Sequence, residues 1–216
     1  MRALNVVGVE QGAEEDGGRL LTLRTDRGPI TCRLHDAAAG DTAVLWVFGA
    51  GGGLGGPAGG LYPRLARELV PEGVASLEVA YRHLRNLPEC VADVLTGIAY
   101  LGTLGRTRIV LVGHSFGGAV VITAGAASEQ VIAVAALSSV RGGTDDAPRL
   151  SPRPLLLAHG GADEVVPDVH SHDIHARARE PKRLIIYPGC RHGLDECRDD
   201  LDRDLLGWLR EVCIPG

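Results

Sequence analysis

The sequence predicts an α/β protein: a mostly parallel, twisted sheet with helices on both faces, antiparallel strands at the N-terminus, and one domain over residues 1–216. Three observations carry this expectation. From Ala43 onward, short aliphatic and β-branched runs alternate with longer stretches of helical apolar spacing, the pattern of right-handed β-α-β crossovers. The short runs are apolar along their whole length, as strands buried on both faces are. The composition, 45% hydrophobic and 23% charged residues in 216, is that of a globular chain long enough to bury a core without metals or disulfides to staple it.

Taken in order, the first forty residues read as short strands between turns. Apolar alternation in 20–24 and 30–34 flanks the turn signal Asp26-Arg27-Gly28-Pro29, so this segment is expected to be antiparallel and peripheral. Buried strands are expected at 43–48, 74–79, 109–112, 131–137, 154–159 and 183–187, all too short for helices. Helices are expected at 62–70, 90–104, 116–127, 169–179 and 199–212. The 30 glycines and 12 prolines punctuate the chain at short intervals and mark no linker. In such a sheet, ligands bind at the carboxyl ends of the strands.

No apolar run approaches the ~20 residues of a membrane-spanning helix. The N-terminus lacks a signal-peptide pattern, since Glu10, Glu14, Glu15 and Asp16 soon follow a short apolar run broken by Asn5. The 22 basic and 27 acidic residues give a net charge of -5 with the basic groups scattered, a poor footprint for nucleic acid or anionic membranes. A small-molecule partner and a cytoplasmic setting are expected, and the oligomeric state is left open. Five cysteines, Cys32, Cys90, Cys190, Cys197 and Cys213, without a C-x-x-C pair, read as reduced thiols. Cys190, His192 and Cys197 match no common zinc spacing, and His172 and His175, at i and i+3, read as a solvated helix face. No metal or cofactor is expected.

The segment Gly113-His114-Ser115-Phe116-Gly117-Gly118 lies directly between an expected strand and an expected helix. It is a G-x-S-x-G nucleophile elbow, in which glycines relieve the crowding of a sharp turn and the serine is thrust toward substrate. A serine hydroxyl needs a base to take its proton and an acid to orient that base. Asp163, in the stretch His159-Gly160-Gly161-Ala162-Asp163-Glu164-Val165-Val166-Pro167, and His192, in Pro188-Gly189-Cys190-Arg191-His192-Gly193, both follow later strands at the same end of the sheet. Asp145, Asp146 and Asp168 are rivals for the acid.

From about Ala43 to the C-terminus these motifs resemble the α/β-hydrolase family, in which the order is serine, acid, histidine. The resemblance implies an α/β-hydrolase fold, with Ser115 as nucleophile, His192 as general base and later acid, and Asp163 as its orienting partner. The run Trp46-Val47-Phe48-Gly49-Ala50-Gly51-Gly52-Gly53 resembles the family's H-G-G-G-type loop with Phe48 in place of histidine, which implies an oxyanion hole from the amides of Ala50 and Phe116. Only 13 residues, 141–153, follow Ser138-Ser139-Val140 before the next strand, so no lid domain is expected. The lidless layout is similar to the dienelactone-hydrolase-like carboxylesterase branch, with Ser115 where that enzyme has cysteine. The implied function is a serine hydrolase of small soluble esters, lactones or thioesters.

Two alternatives stand beside it. One is a non-catalytic binding protein on the same scaffold. The other is a dinucleotide-binding protein in which Gly51 to Gly56 form G-x-G-x-x-G and Glu78 contacts a ribose. Finally, Arg82, Arg141 and Arg191 fall on loops at the same sheet edge as Ser115, and Arg82 and Arg141 are expected to bind a substrate carboxylate.

Overall fold

The computed structural model describes residues 2–214. Three strands come first: β1 (Val6–Glu15), β2 (Gly18–Thr25) and β3 (Gly28–His35). After them the chain alternates: β4 (Thr42–Val47), α1 (Pro57–Leu69), β5 (Ala75–Val79), α2 (Leu87–Thr103), β6 (Arg108–His114), α3 (Phe116–Ala127), β7 (Val131–Leu137), β8 (Leu155–Gly160), α4 (Val169–Arg177), β9 (Lys182–Tyr187) and α5 (Arg198–Cys213). The strands form one nine-stranded sheet in the order β1-β2-β3-β5-β4-β6-β7-β8-β9. Pairing is antiparallel from β1 through β3 to β5 and parallel from β5 to β9.

Strand periodicity divides the core in two. Leu45, Leu77, Leu111, Val134 and Leu157 point to the face covered by α2, α3 and α4. Their neighbours Val44, Trp46, Val110, Val112, Leu156 and Ala158 point to the face covered by α1 and α5. Both sets are essentially fully buried, as expected of parallel strands sandwiched by helices.

The sequence expectation of short antiparallel strands in the first forty residues holds, but it gives no bounds for β1. That strand lies at the sheet edge and is mostly exposed, so its residues need no apolar alternation, and its ladder is with β2. Helix α1 begins earlier than expected, but Ala58, Gly59 and Gly60 are left-handed and regular winding starts only beyond them. Helix α2 also begins early, at Leu87, where the Asn86 side chain accepts from the Glu89 amide as an N-cap. Between β7 and β8 the only regular element is a 3-10 turn, Ala147–Arg149, and no lid is inserted. Among the described residues, no helix is long and apolar enough to cross a membrane.

Candidate active site

Ser115 occupies the turn from β6 to α3 with φ 56° and ψ -120°. For a residue with a Cβ this conformation costs on the order of 1–3 kcal/mol, so the surroundings must enforce it. They do so by close backbone approach: a Cβ on Gly113 would strike the Gly117 carbonyl, and one on Gly117 would strike the Phe48 carbonyl. The Ser115 amide donates to Leu137 O at 2.8 Å, pinning the turn to β7.

His192 follows β9 and Asp163 follows β8. The His192 ring bridges the other two residues, with Nε2 3.0 Å from Ser115 Oγ and Nδ1 2.7 Å from Asp163 Oδ2. Nδ1 therefore donates to the carboxylate and Nε2 is free to accept from the hydroxyl. The Asp163 carboxylate is wholly buried. Burial pushes its pKa up, but the Val166 amide, His192 and the Val165 amide all donate to it and together hold it below the ordinary carboxylate value. Asp163 Oδ1 accepts from Val165 N at 2.9 Å and Val166 N at 2.8 Å.

Two further histidines brace this arrangement. His159 Nε2 donates to Val166 O at 2.8 Å and lies 3.2 Å from Asp163 Oδ2, while Nδ1 accepts from Ser171 Oγ at 2.6 Å. His114 Nε2 donates to the His192 carbonyl at 2.8 Å, and the two rings lie 4.8 Å apart. Burial lowers the pKa of both, that of His114 to about 4, so each is a neutral ring at neutral pH. Neither has a role in the sequence expectation, although both sit inside motifs that it quotes.

The loop after β4 presses on Ser115: a Cβ on Gly49 would lie 3.3 Å from that of Ser115. Tyr81 Oη donates to Phe48 O at 3.1 Å and Tyr62 Oη donates to Val47 O at 2.8 Å. Burial pushes both phenols well above their ordinary pKa, so both remain donors. The Phe48 ring packs against Tyr62 and His114. Among the described residues, the amides of Ala50 and Phe116 have no acceptor in the loop, cap or side-chain hydrogen bonds.

A model of the dienelactone hydrolase family matches residues 65–204, roughly two thirds of the chain. The chain belongs to the dienelactone hydrolase family. Solved structures agree on the fold: dienelactone hydrolase from Anabaena variabilis (TM-score 0.76, 19% identity, 95% of this chain and 99% of that one) and Est1E from Butyrivibrio proteoclasticus (0.74, 19%, 89% and 98%). XC6422 from Xanthomonas campestris, described as an α/β serine hydrolase without a lid, matches at 0.70 with 18% identity over 95% and 99%. Among curated proteins, the uncharacterized protein YfhR of Escherichia coli K12 is 54% identical over 43 residues, 20% of this chain and 15% of its own length.

In this dienelactone hydrolase family member the rival acids lie elsewhere: Asp145 is fully exposed opposite Arg177, and Asp146 pairs with Arg149. Asp168 caps α4 through its carbonyl, which accepts from the His172 amide.

Three expectations are corrected. Arg82 does not face the site: its side chain is 3% exposed and is spent on buried Asp93 and on Glu89, because a guanidinium beside a buried carboxylate is held by charge and geometry together. Glu78 is not available to a ribose, since it is buried beneath the glycine-rich loop and already accepts from Arg33, His35 and the Gly55 amide. Cys190 and Cys197 are not thiols. They form a disulfide around the His192 loop, so neither sulfur is free to ligate a metal, while Cys32, Cys90 and Cys213 remain buried thiols. Of the other two arginines, Arg191 pairs with Glu196, whereas Arg141 is exposed, with its amide 3.3 Å from His170 Nδ1 and with Val140, just before it, donating to Ser115 O.

Proposed function

We propose that the chain is a single α/β-hydrolase domain acting as a serine hydrolase on small soluble carboxylic esters, lactones or thioesters. The observation that carries this reading is the unbroken sequence of hydrogen bonds from Ser115 Oγ through His192 to Asp163. Ser115 Oγ attacks the substrate carbonyl while His192 Nε2 takes its proton. Asp163 holds the ring in the required tautomer and stabilises the imidazolium that forms. The oxyanion is received by the Ala50 and Phe116 amides, the latter at the positive end of α3. Collapse expels the alcohol or thiol, protonated by His192, and leaves an acyl-enzyme ester on Ser115. Water then attacks by the reverse sequence and releases the carboxylic acid.

The open surface favours small substrates. Beside His192 lies a depression of about 250 Å³ lined by Glu164, Val165, Arg191, Gly193, Asp195 and Glu196, room for a modest leaving group. Arg141, exposed and in no ion pair among the described residues, follows Val140, whose amide donates to Ser115 O, and its guanidinium is a contact for a substrate carboxylate. A cytoplasmic setting is supported by the free thiols of Cys32, Cys90 and Cys213, while the Cys190–Cys197 disulfide stands against it.

The test is labelling with a fluorophosphonate followed by peptide mapping, with p-nitrophenyl acetate turnover alongside. A single adduct on the Ser115 peptide, absent from Ser115→Ala, is the expected result. A wild-type protein that takes no label and turns over no ester would sink the reading in favour of a binding protein on a hydrolase scaffold.

A further inference from the structure

Glu78 on β5 is 1% exposed and lies between two neighbours in register, Arg33 on β3 and Trp46 on β4. Its Oε1 accepts from Arg33 Nη1 at 3.1 Å and His35 Nε2 at 3.2 Å, and its Oε2 accepts from the Gly55 amide at 2.6 Å. Around it, Arg33 Nε, His35 Nδ1, Trp46 Nε1 and Ser76 Oγ are buried without a partner among the described residues. A carboxylate is costly to bury, and apolar packing would fill this space at lower cost. What a carboxylate adds is the capacity to accept from three donors on two sides at once.

One of those sides is the loop that carries Ala50. Gly52, Gly53, Gly55 and Gly56 all have positive φ, so this stretch has unusual conformational freedom to lose. Between Phe48 and Pro57 its backbone has a turn bond, Gly52 N to Gly49 O, and Gly55 O accepts from Tyr62 N. Against this sparse bonding, the charge-assisted contact from Gly55 N to Glu78 is the strong tether. On its other side Glu78 holds Arg33, which reaches Asp16 at 3.1 Å in the turn between β1 and β2.

We propose that Glu78 is a positioning residue for the oxyanion loop, clamping Gly55 so that the Ala50 amide stays aimed at the oxyanion, and that Arg33 ties this clamp to the N-terminal hairpin. Its kinetic consequence rests on the hydrolase reading above; the clamp itself does not. Glu78→Gln keeps the side-chain volume, but an amide cannot accept on both sides, so one contact becomes donor against donor.

The test compares wild type with Glu78→Gln and Glu78→Asp in the full chain, with rates normalised to fluorophosphonate-titrated Ser115. For Glu78→Gln, kcat for p-nitrophenyl acetate is expected to fall ~10–100-fold with KM within about twofold. Binding of phenylboronic acid, whose anionic adduct uses the same amides, is expected to weaken in parallel, and hydrogen exchange across residues 49–56 to quicken. Glu78 as a purely structural ion-pair partner would lower thermal stability while leaving kcat per titrated site and boronate binding unchanged, which would overturn the proposal. If Glu78→Gln does not fold, Glu78→Asp decides: it keeps the charge against Arg33 and His35 but is a methylene too short to span both sides, and wild-type kcat in it would overturn the clamp. If the wild type neither takes label nor hydrolyses ester, the hydrolase reading fails separately, and the clamp is judged on exchange alone, where unchanged protection of residues 49–56 in the variants overturns it.

Discussion

The loop that carries His192 is closed by a disulfide, packs Cys190 and Leu194 into the core, and receives the Ala162 amide on the Cys190 carbonyl. The loop that carries Ala50, on the other side of Ser115, has neither a covalent tie nor a run of buried side chains, and depends on close approach at Gly49, Gly52 and Gly56 and on Glu78. Under the proposed function, the difference follows from what each presents. A general base must hold a side chain at a fixed distance from two partners, which over-determined packing and cross-linking achieve. An oxyanion hole presents backbone amides, and bringing a bare backbone against a nucleophile requires glycine, whose freedom must then be restrained from beneath.

The largest expected effects fall on the rigid side. His192→Ala and Ser115→Ala should each lower kcat by on the order of 10⁴-fold or more, and Asp163→Asn by about 10³–10⁴-fold, in steady-state ester hydrolysis with the fold checked by circular dichroism. Near-normal turnover by Asp163→Asn would move the orienting role to another acid, with His159 left bonded to an idle carboxyl.

Next comes the pH dependence of the His192 brace. The His114 ring titrates at about 4 when folded against 6.5 ordinarily. Between those values the unfolded chain binds a proton that the native state refuses, so stability falls as pH drops from 6.5 toward 4 and no further below it. The loss assignable to this ring is on the order of 3 kcal/mol. Asp163, held below the ordinary carboxylate value of 3.8, adds its own loss only once pH drops below about 3.8, toward its lowered folded value. Urea midpoints at pH 7 and 4.5 should show a shallower fall for His114→Gln than for wild type; equal slopes would place the acid sensitivity elsewhere.

Opening the disulfide sharpens the contrast directly. For a closed loop this short, the Cys190→Ser, Cys197→Ser double variant or the dithiothreitol-reduced protein should lose about 2 kcal/mol of stability. Activity should fall only severalfold, because His114, Asp163 and the core still hold the loop. Loss of all activity on reduction would show that the cross-link, and not packing, sets the His192 geometry.

The smallest effect is expected at the rim. Arg141→Ala should leave stability unchanged and reduce kcat/KM severalfold for a carboxylated ester at low salt, while its neutral analogue is unaffected. Equal changes for both substrates would remove Arg141 as a charge contact.

Much of the fold was legible because its signals are local. The limits of α3 and β7 coincide with the expected ones, since each is a continuous apolar run bounded by turn residues. The elbow at Ser115 was legible because its G-x-S-x-G spacing between a strand and a helix is local, although only Gly113 answers to crowding within a few residues while Gly117 meets the Phe48 carbonyl. The bounds of strand β1 were not, because an exposed edge strand leaves no apolar pattern.

By itself, then, the sequence determined the alternation of strands and helices, the elbow, and the order in which Ser115, Asp163 and His192 arrive at one edge of the sheet. Those features depend on short-range sterics and on the periodicity of burial. Only the tertiary structure decided which charges are spent on one another. Arg82 meets Asp93 eleven residues on, Glu78 meets Arg33 on the neighbouring strand β3, and Cys190 closes on Cys197 around His192. Such pairings depend on distances and burial that arise when separate elements pack, and no spacing along the chain encodes them.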